Sequence, residues 1–271
     1  MFVLEDLKDR KKETLEKILS EYGREGVLSF CAGVLDKRAY FTVDMNGNIK
    51  RKKMNYAVCA AVSVQEDSIF TNYVAENLDF AEKTKIEKIE RMNNVENIEK
   101  NIFKLLAKGD FHFTGKYCKE LYMRNNDEFF KMMFQFALMD NMSFEKSLAV
   151  YSMKKYFEKF GYSDEMLYLT ISYMAKMRAD FSEYESIQIE KNVSKNELRE
   201  KIKNNIEKYK NQEGMCILGY LLGLLSYNYE NEEKFTAVLC RKTEQFEKSD
   251  VKKEQLSNIQ VQIFEYLSKE V

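Results

Sequence analysis

The sequence contains no proline and no tryptophan in its 271 residues. Proline is the usual cause of helix kinks and of rigid, extended linkers, so its absence predicts long, uninterrupted helices. Phosphate-binding signatures are missing as well, because the ten glycines form neither a G-x-G-x-x-G nor a Walker pattern. These absences disfavour a nucleotide-dependent enzyme, and we expect no cofactor.

Histidine is scarce, with a single residue at His112, and the five cysteines are dispersed without any C-x-x-C pair. Such a set cannot supply a closed zinc site with normal ligand spacing, so we expect no metal. An odd, unpatterned set of cysteines is typical of free thiols in a reducing compartment. We expect a protein that is not an enzyme, and a pair of His112 and Cys118 assembled in space is the alternative.

Charge is almost balanced, since 43 basic and 44 acidic residues give a formal net charge of -1. This balance argues against a protein that binds nucleic acid over its whole surface. The N-terminus lacks the apolar core of a signal peptide. The longest apolar run, Met215–Tyr227, is shorter than the roughly 20 residues that a membrane span requires. We therefore expect a cytoplasmic protein without membrane contact.

The hydrophobic pattern predicts a mainly α fold, with a small N-terminal α/β piece followed by an array of stacked antiparallel helices. An amphipathic helix is expected over Leu4–Tyr22, with Gly23 at its C-terminal end. The apolar run Tyr56–Val64 fits either a third strand or a buried helix. From Ser68 onward the pattern is helical, which suggests regions 1–67 and 68–271, or one continuous domain.

Between these elements the sequence predicts a β-hairpin with a basic second strand. Ala39–Asp44 alternates, Asn46 and Gly47 form the tight-turn signal, and Asn48–Met54 returns. A strand that is charged on both faces belongs at an edge or on a projecting finger, where cations can meet phosphates and an aromatic residue can stack on a base. A lysine-rich edge also prevents edge-to-edge aggregation, which is the simpler explanation. The candidate nucleic-acid contacts are Tyr40, Lys50, Arg51, Lys52 and Lys53.

Local signals position several helices within the second region. Ser163 precedes two acidic residues and is expected to cap a helix. Ser194 with Glu197 three positions later fits a capping box. Gly219 and Gly223, in the segment "GYLLG", would allow two helices to approach closely.

The stretch Tyr220–Leu239 resembles one unit of the tetratricopeptide repeat family. Leu222 and Gly223 stand where the first helix of that family has its Leu-Gly pair, and Tyr227 lies near the aromatic position. Phe235 occupies a position where the family has a small residue. The resemblance implies stacked helix pairs that bind a peptide or protein on a concave face, and an irregular helical domain is the alternative.

Methionine is concentrated in the middle of the chain, where eight of the 14 methionines lie between Met132 and Met177. Their helical spacing indicates core packing more often than a surface. Thioethers beside tyrosines are also typical of adaptable partner surfaces, which is the alternative. The candidate interface residues are Met153, Tyr156, Met166, Tyr173 and Met177.

Taken together, these features predict a non-enzymatic protein-binding module, such as an adaptor, an inhibitor or an immunity-type partner, that acts through a Met/Tyr-rich helical surface. Its partner would be another protein, and self-association stays open. The alternative is a nucleic-acid-associated protein, in a ribonucleoprotein or defence complex, that contacts phosphates through the basic hairpin.

Overall fold

A computed structural model of the chain describes residues 6–9, 11–35, 41–43, 49–51, 54–78, 80, 95–140, 144–189, 193–249 and 256–271. Two short strands, β1 (Phe41–Val43) and β2 (Ile49–Arg51), are described by their backbone alone. The helices are α1 (Asp6–Asp9), α2 (Lys11–Leu35), α3 (Ala57–Ser63), α4 (Asp67–Glu76), α5 (Val95–Lys108), α6 (Phe111–Arg124), α7 (Asn126–Met139), α8 (Glu145–Phe160), α9 (Asp164–Lys176), α10 (Ser182–Ser186), α11 (Lys195–Asn204), α12 (Gln212–Ser226), α13 (Glu232–Lys248) and α14 (Asn258–Glu270), with a 3₁₀ turn over Ile206–Tyr209.

The predicted α/β character of the N-terminal region is wrong, because helices make up almost all of the described residues. The run Tyr56–Val64 contains helix α3, in which Ala57, Ala60 and Ala61 supply the residue type with the highest helix propensity. Strands β1 and β2 have three residues each, and among the described residues they pair only with one another, in antiparallel register. A sheet of two such short strands is too small to form the layer that an α/β fold requires.

Helix α2 is longer than the sequence suggested. Gly23 has φ +66° and ψ −169°, so it interrupts the helix at the residue where an end was expected. The chain then resumes its helical path as far as Leu35, and Val27, Leu28 and Cys31 of this second segment are buried. The left-handed φ suits glycine because a Cβ would be strained there.

The residue after this kink fixes the turn between α3 and α4. The guanidinium of Arg24 donates hydrogen bonds to the backbone oxygens of Ala61 at 3.2 Å, Val64 at 2.5 Å and Gln65 at 3.0 Å. Its Nε also donates to Oδ1 of Asp67 at 2.8 Å. Arg24 therefore satisfies carbonyl groups that the end of α3 leaves without helical partners.

The chain forms two compact units that alternate along the sequence. The first comprises Met1–Asn126 and Met153–Arg178, and the second comprises Asp127–Ser152 and Ala179–Val271. The boundary suggested at residues 67–68 falls inside the first unit.

Helix α12 is buried along almost its whole length within the second unit. A Cβ on Gly219 would lie 2.6 Å from Cβ and 2.7 Å from Cα of Leu148 on α8, and one on Gly223 would lie 2.8 Å from the ring of Phe134 on α7. The hydroxyl of Tyr220 donates to the backbone oxygen of Leu138 at 2.9 Å. The close helix approach expected from "GYLLG" is thus confirmed.

We predict that Gly219→Ala lowers the free energy of unfolding by about 1–3 kcal/mol, because the added methyl meets the backbone of α8 and overpacks the core. Gly33→Ala is the matched control, since Gly33 lies on α2 with no atom within 4 Å of a Cβ built there. The control should leave stability unchanged or raise it by up to about 1 kcal/mol. Urea unfolding followed by circular dichroism measures both, and equal effects would contradict the packing argument.

Candidate functional site

All five candidate interface residues are buried. Met153, Tyr156 and Met166 have no exposed surface, while Tyr173 and Met177 are 5% and 3% exposed. They lie on α8, on α9 and directly after α9, within the first unit. In this conformation they fill the core and present no surface to a partner.

The candidate nucleic-acid contacts are described only in part. Lys50 and Arg51 lie on β2, where the register places them opposite Thr42 and Phe41 of β1. The hypothesis of nucleic-acid contact stays a prediction. The other candidates lie outside the described residues: Tyr40, Lys52 and Lys53.

His112 and Cys118 both lie on α6, but on different sides of it. Six helical positions separate them by about 9 Å along the axis and about 240° around it. His112 is exposed, whereas Cys118 is fully buried, and burial raises the pKa of its thiol well above the ordinary value. The helix therefore does not place His112 beside Cys118, as a thiolate nucleophile with an adjacent base would require.

The described residues contain neither a candidate metal site nor a candidate membrane span. No group of three or more His, Cys, Asp or Glu side chains is arranged there to hold a metal ion. Among the helices that the structure describes, none combines the length and the apolar character needed to cross a membrane.

A more distinctive feature is where large apolar side chains are exposed. In the described part of the chain, four such side chains are exposed: Tyr22 at 62%, Phe113 at 41%, Met123 at 57% and Ile189 at 44%. Single exposed apolar residues are normal on protein surfaces. Phe113 and Met123 differ from the others because they share one helix, α6.

These two residues belong to one stripe along α6. Lys116 and Glu120 lie between them, so the spacing is i, i+3, i+7, i+10, which is the seam spacing of a coiled coil. Lys116 is half-buried, and the side chain of Glu120 is 13% exposed and pairs with Arg124 of the same helix. We call Phe113, Lys116, Glu120 and Met123 the α6 seam. The residues on the opposite side of the helix are buried in the first unit: Thr114, Cys118 and Leu121.

The N-terminal end of this helix is firmly capped. Asp110 precedes α6, and its carboxylate accepts hydrogen bonds from the backbone N–H of His112 at 3.1 Å and of Phe113 at 3.4 Å. This satisfies two of the donors that the first turn of a helix leaves free. The aspartate also suits the positive end of the helix dipole. Phe113 is therefore held on a well-formed first turn.

The flank of α6 is fixed by aromatic packing against α8 and the start of α9. Tyr122 stacks on Tyr162 with ring centroids 4.7 Å apart, and Phe157 contacts both rings at 5.2 and 5.3 Å. Tyr122 and Tyr162 are half-buried, so the edge of this cluster reaches the surface. Aromatic pairs of this kind contribute about 0.5–1.5 kcal/mol beyond their buried area, so they stabilise the packing of α6 against α8.

Asp164 joins α9 to the same flank. Its Oδ2 lies 2.6 Å from Nζ of Lys119, and its Oδ1 accepts a hydrogen bond from the hydroxyl of Tyr162. Burial opposes its ionisation, yet the hydrogen bonds from Lys119 and Tyr162 hold the pKa of Asp164 below its usual value. Burial and this carboxylate raise the pKa of Tyr162. The charge of Lys119 is therefore balanced within the protein.

The second unit contains a charged pair in its core. Lys146 and Asp140 are each 1% exposed and form an ion pair, and Nζ of Lys146 lies 5.4 Å from the ring centre of Phe136. Oδ1 of Asp140 also accepts a hydrogen bond from the backbone N–H of Asp180 at 3.2 Å. Burial lowers the pKa of Lys146, while the nearby Asp140 opposes that shift. With both groups enclosed, the pair connects three segments of the unit.

Comparison of the chain with protein-family models, curated proteins and solved structures found no match. The tetratricopeptide resemblance stays a prediction. In the structure its stretch covers the C-terminal part of α12 and the start of α13, and Phe235 is fully buried.

The α6 seam was not predicted from the sequence. The signal was the seven-residue spacing of Phe113 to Glu120 and Lys116 to Met123. Apolar residues occur around most of this helix, so spacing alone could not show which side remains exposed.

We predict that Lys146→Met destabilises the protein by about 3–5 kcal/mol, because it leaves the Asp140 carboxylate buried without its cation. Adding Asp140→Asn should recover most of this loss, since the amide oxygen still accepts from the N–H of Asp180. Urea unfolding of the single and double variants measures both effects. A double variant as unstable as Lys146→Met would show that the uncompensated charge is not the cause.

Proposed function

We propose that this chain is a protein-binding module that docks a partner on the outer surface of α6. The observation that carries the proposal is the exposure of Phe113 and Met123 on one stripe of one helix. Both residues leave apolar surface in contact with water, and burying it against a partner is favourable by about 25 cal/mol per Å². Phenylalanine and methionine are also enriched at protein interfaces.

The surroundings of the seam support docking. Lys116 and Arg124 frame the apolar residues with charge, as the polar rim of an interface does. The aromatic cluster of Tyr122, Phe157 and Tyr162 fixes the helix, so little conformational freedom is lost when a partner binds. The proposal keeps the predicted kind of function and moves its surface from α8 and α9 to α6.

We predict that the double variant Phe113→Glu/Met123→Glu weakens partner capture at least about tenfold, because two apolar contacts are replaced by charges that would be buried. Ile189→Glu is the matched control, since it places the same charge on an exposed apolar residue that does not belong to α6. Affinity capture of the tagged chain from its native cells, read by mass spectrometry, compares the variants. Thermal unfolding by circular dichroism checks that the wild-type chain and both variants fold.

The outcome separates two readings of the molecule. A stoichiometric protein that survives nuclease, is retained by Ile189→Glu and is lost from the double variant supports the proposal. Equal capture by both variants, together with unchanged self-association of the double variant at about 1 mM, contradicts it. Capture that disappears on nuclease treatment would instead favour contact through the basic residues 50–53.

A further inference from the structure

The α6 seam has a pattern that complements itself. Phe113 and Met123 lie five positions on either side of Cys118, and Lys116 and Glu120 lie two positions on either side of it. A second α6 placed antiparallel about that midpoint brings Phe113 opposite Met123 and Lys116 opposite Glu120. Every seam residue therefore meets a residue of complementary chemistry.

We propose that the partner that occupies the α6 seam is a second copy of this chain, packed antiparallel to the first. This proposal rests on the proposed function of α6 as a docking surface. The contact is isologous, so one two-fold axis creates two Phe113–Met123 contacts and two Lys116–Glu120 pairs. Residues spaced as in a coiled-coil seam pack in layers of this kind.

The charges favour the antiparallel orientation over the parallel one. In a parallel pair Lys116 would face Lys116, which is repulsive, whereas Glu120 is already paired with Arg124 of its own helix. Near the two-fold axis Lys119 of one chain approaches Lys119 of the second copy. The charge of each is already balanced by Asp164 of its own chain, at 2.6 Å. Glu120 accepts a hydrogen bond from Arg124 of its own helix and gains a second cation from Lys116 of the second copy.

The size of the seam sets the strength of the dimer. Helix α6 has 14 residues, and one such helix on each side gives a contact at the small end of protein interfaces, below about 1,200 Å². Interfaces of that size belong to weak, transient encounters. The dimer therefore forms at high protein concentration and exchanges readily.

The test is sedimentation equilibrium of the purified full chain at low salt, at chain concentrations up to about 1 mM. At that concentration half of the chains are dimeric when the free energy of dimerisation is about −4 kcal/mol. Lys116→Glu alone and Glu120→Lys alone should each raise the dimer dissociation constant about tenfold or more, because each places like charges across the axis. An equimolar mixture of the two variants should dimerise again, since one chain is then acidic at both positions and the other basic. Lys203→Glu, on the exposed side of α11, is the matched charge control and should have no effect.

Circular dichroism of each variant checks that its fold is retained, and recovery in the mixture excludes misfolding as the cause of any loss. If the wild-type chain stays monomeric, the proposal that a second copy binds the α6 seam is wrong. It is also wrong if a dimer forms that neither charge reversal weakens. If Phe113→Glu/Met123→Glu still loses a captured partner in that case, α6 docks a different protein and the proposed function stands. If capture is also unchanged, both proposals fail.

Discussion

The close approach of α12 to α8 is the constraint on which the packing of the second unit depends. At Gly219 the two backbones are too near for any side chain, so α12 can lie deep in the unit with neighbours around it. The hydroxyl of Tyr220 then reaches the backbone oxygens of Leu138 and Phe235, and its ring lies against Phe144. Helix α12 thereby positions the end of α7, the start of α8 and helix α13 around itself.

Signals that act over a few residues were predictable from the sequence. Ser194 and Glu197 form the expected capping box, and the hydroxyl of Ser163 accepts from the N–H of Met166 at the start of α9. These features depend on the hydrogen bonds of one helical turn, so the identity of two or three residues decides them. The glycines of α12 are similar, since the absence of a side chain is visible in the sequence itself.

Signals that depend on distant neighbours were not predictable in the same way. Tyr56–Val64 is apolar except for Ser63, and only its packing and its alanines make it a helix rather than a strand. The methionines and tyrosines of α8 and α9 have the spacing of an apolar face, but spacing cannot say what covers that face. The structure shows that the chain itself covers Met153 and Met166.

The candidate site also depends on residues that are distant in the sequence. Phe113 and Met123 look no different in the sequence from their apolar neighbours Leu121 and Tyr122 on the same helix. What distinguishes them is that the first unit packs on one side of α6 and leaves Phe113 and Met123 exposed on the other. Which side is covered is decided by α5, α8 and α9, whose positions no short segment specifies.

The protein therefore contains two arrangements that are unfavourable in isolation. Lys146 and Asp140 are charges removed from water, and their cost is offset inside the second unit by the ion pair and by the hydrogen bond from Asp180. Phe113 and Met123 are apolar side chains left in water, and no described contact within the chain covers them fully. The first arrangement is complete in a single chain, whereas the second becomes favourable only when another surface buries it.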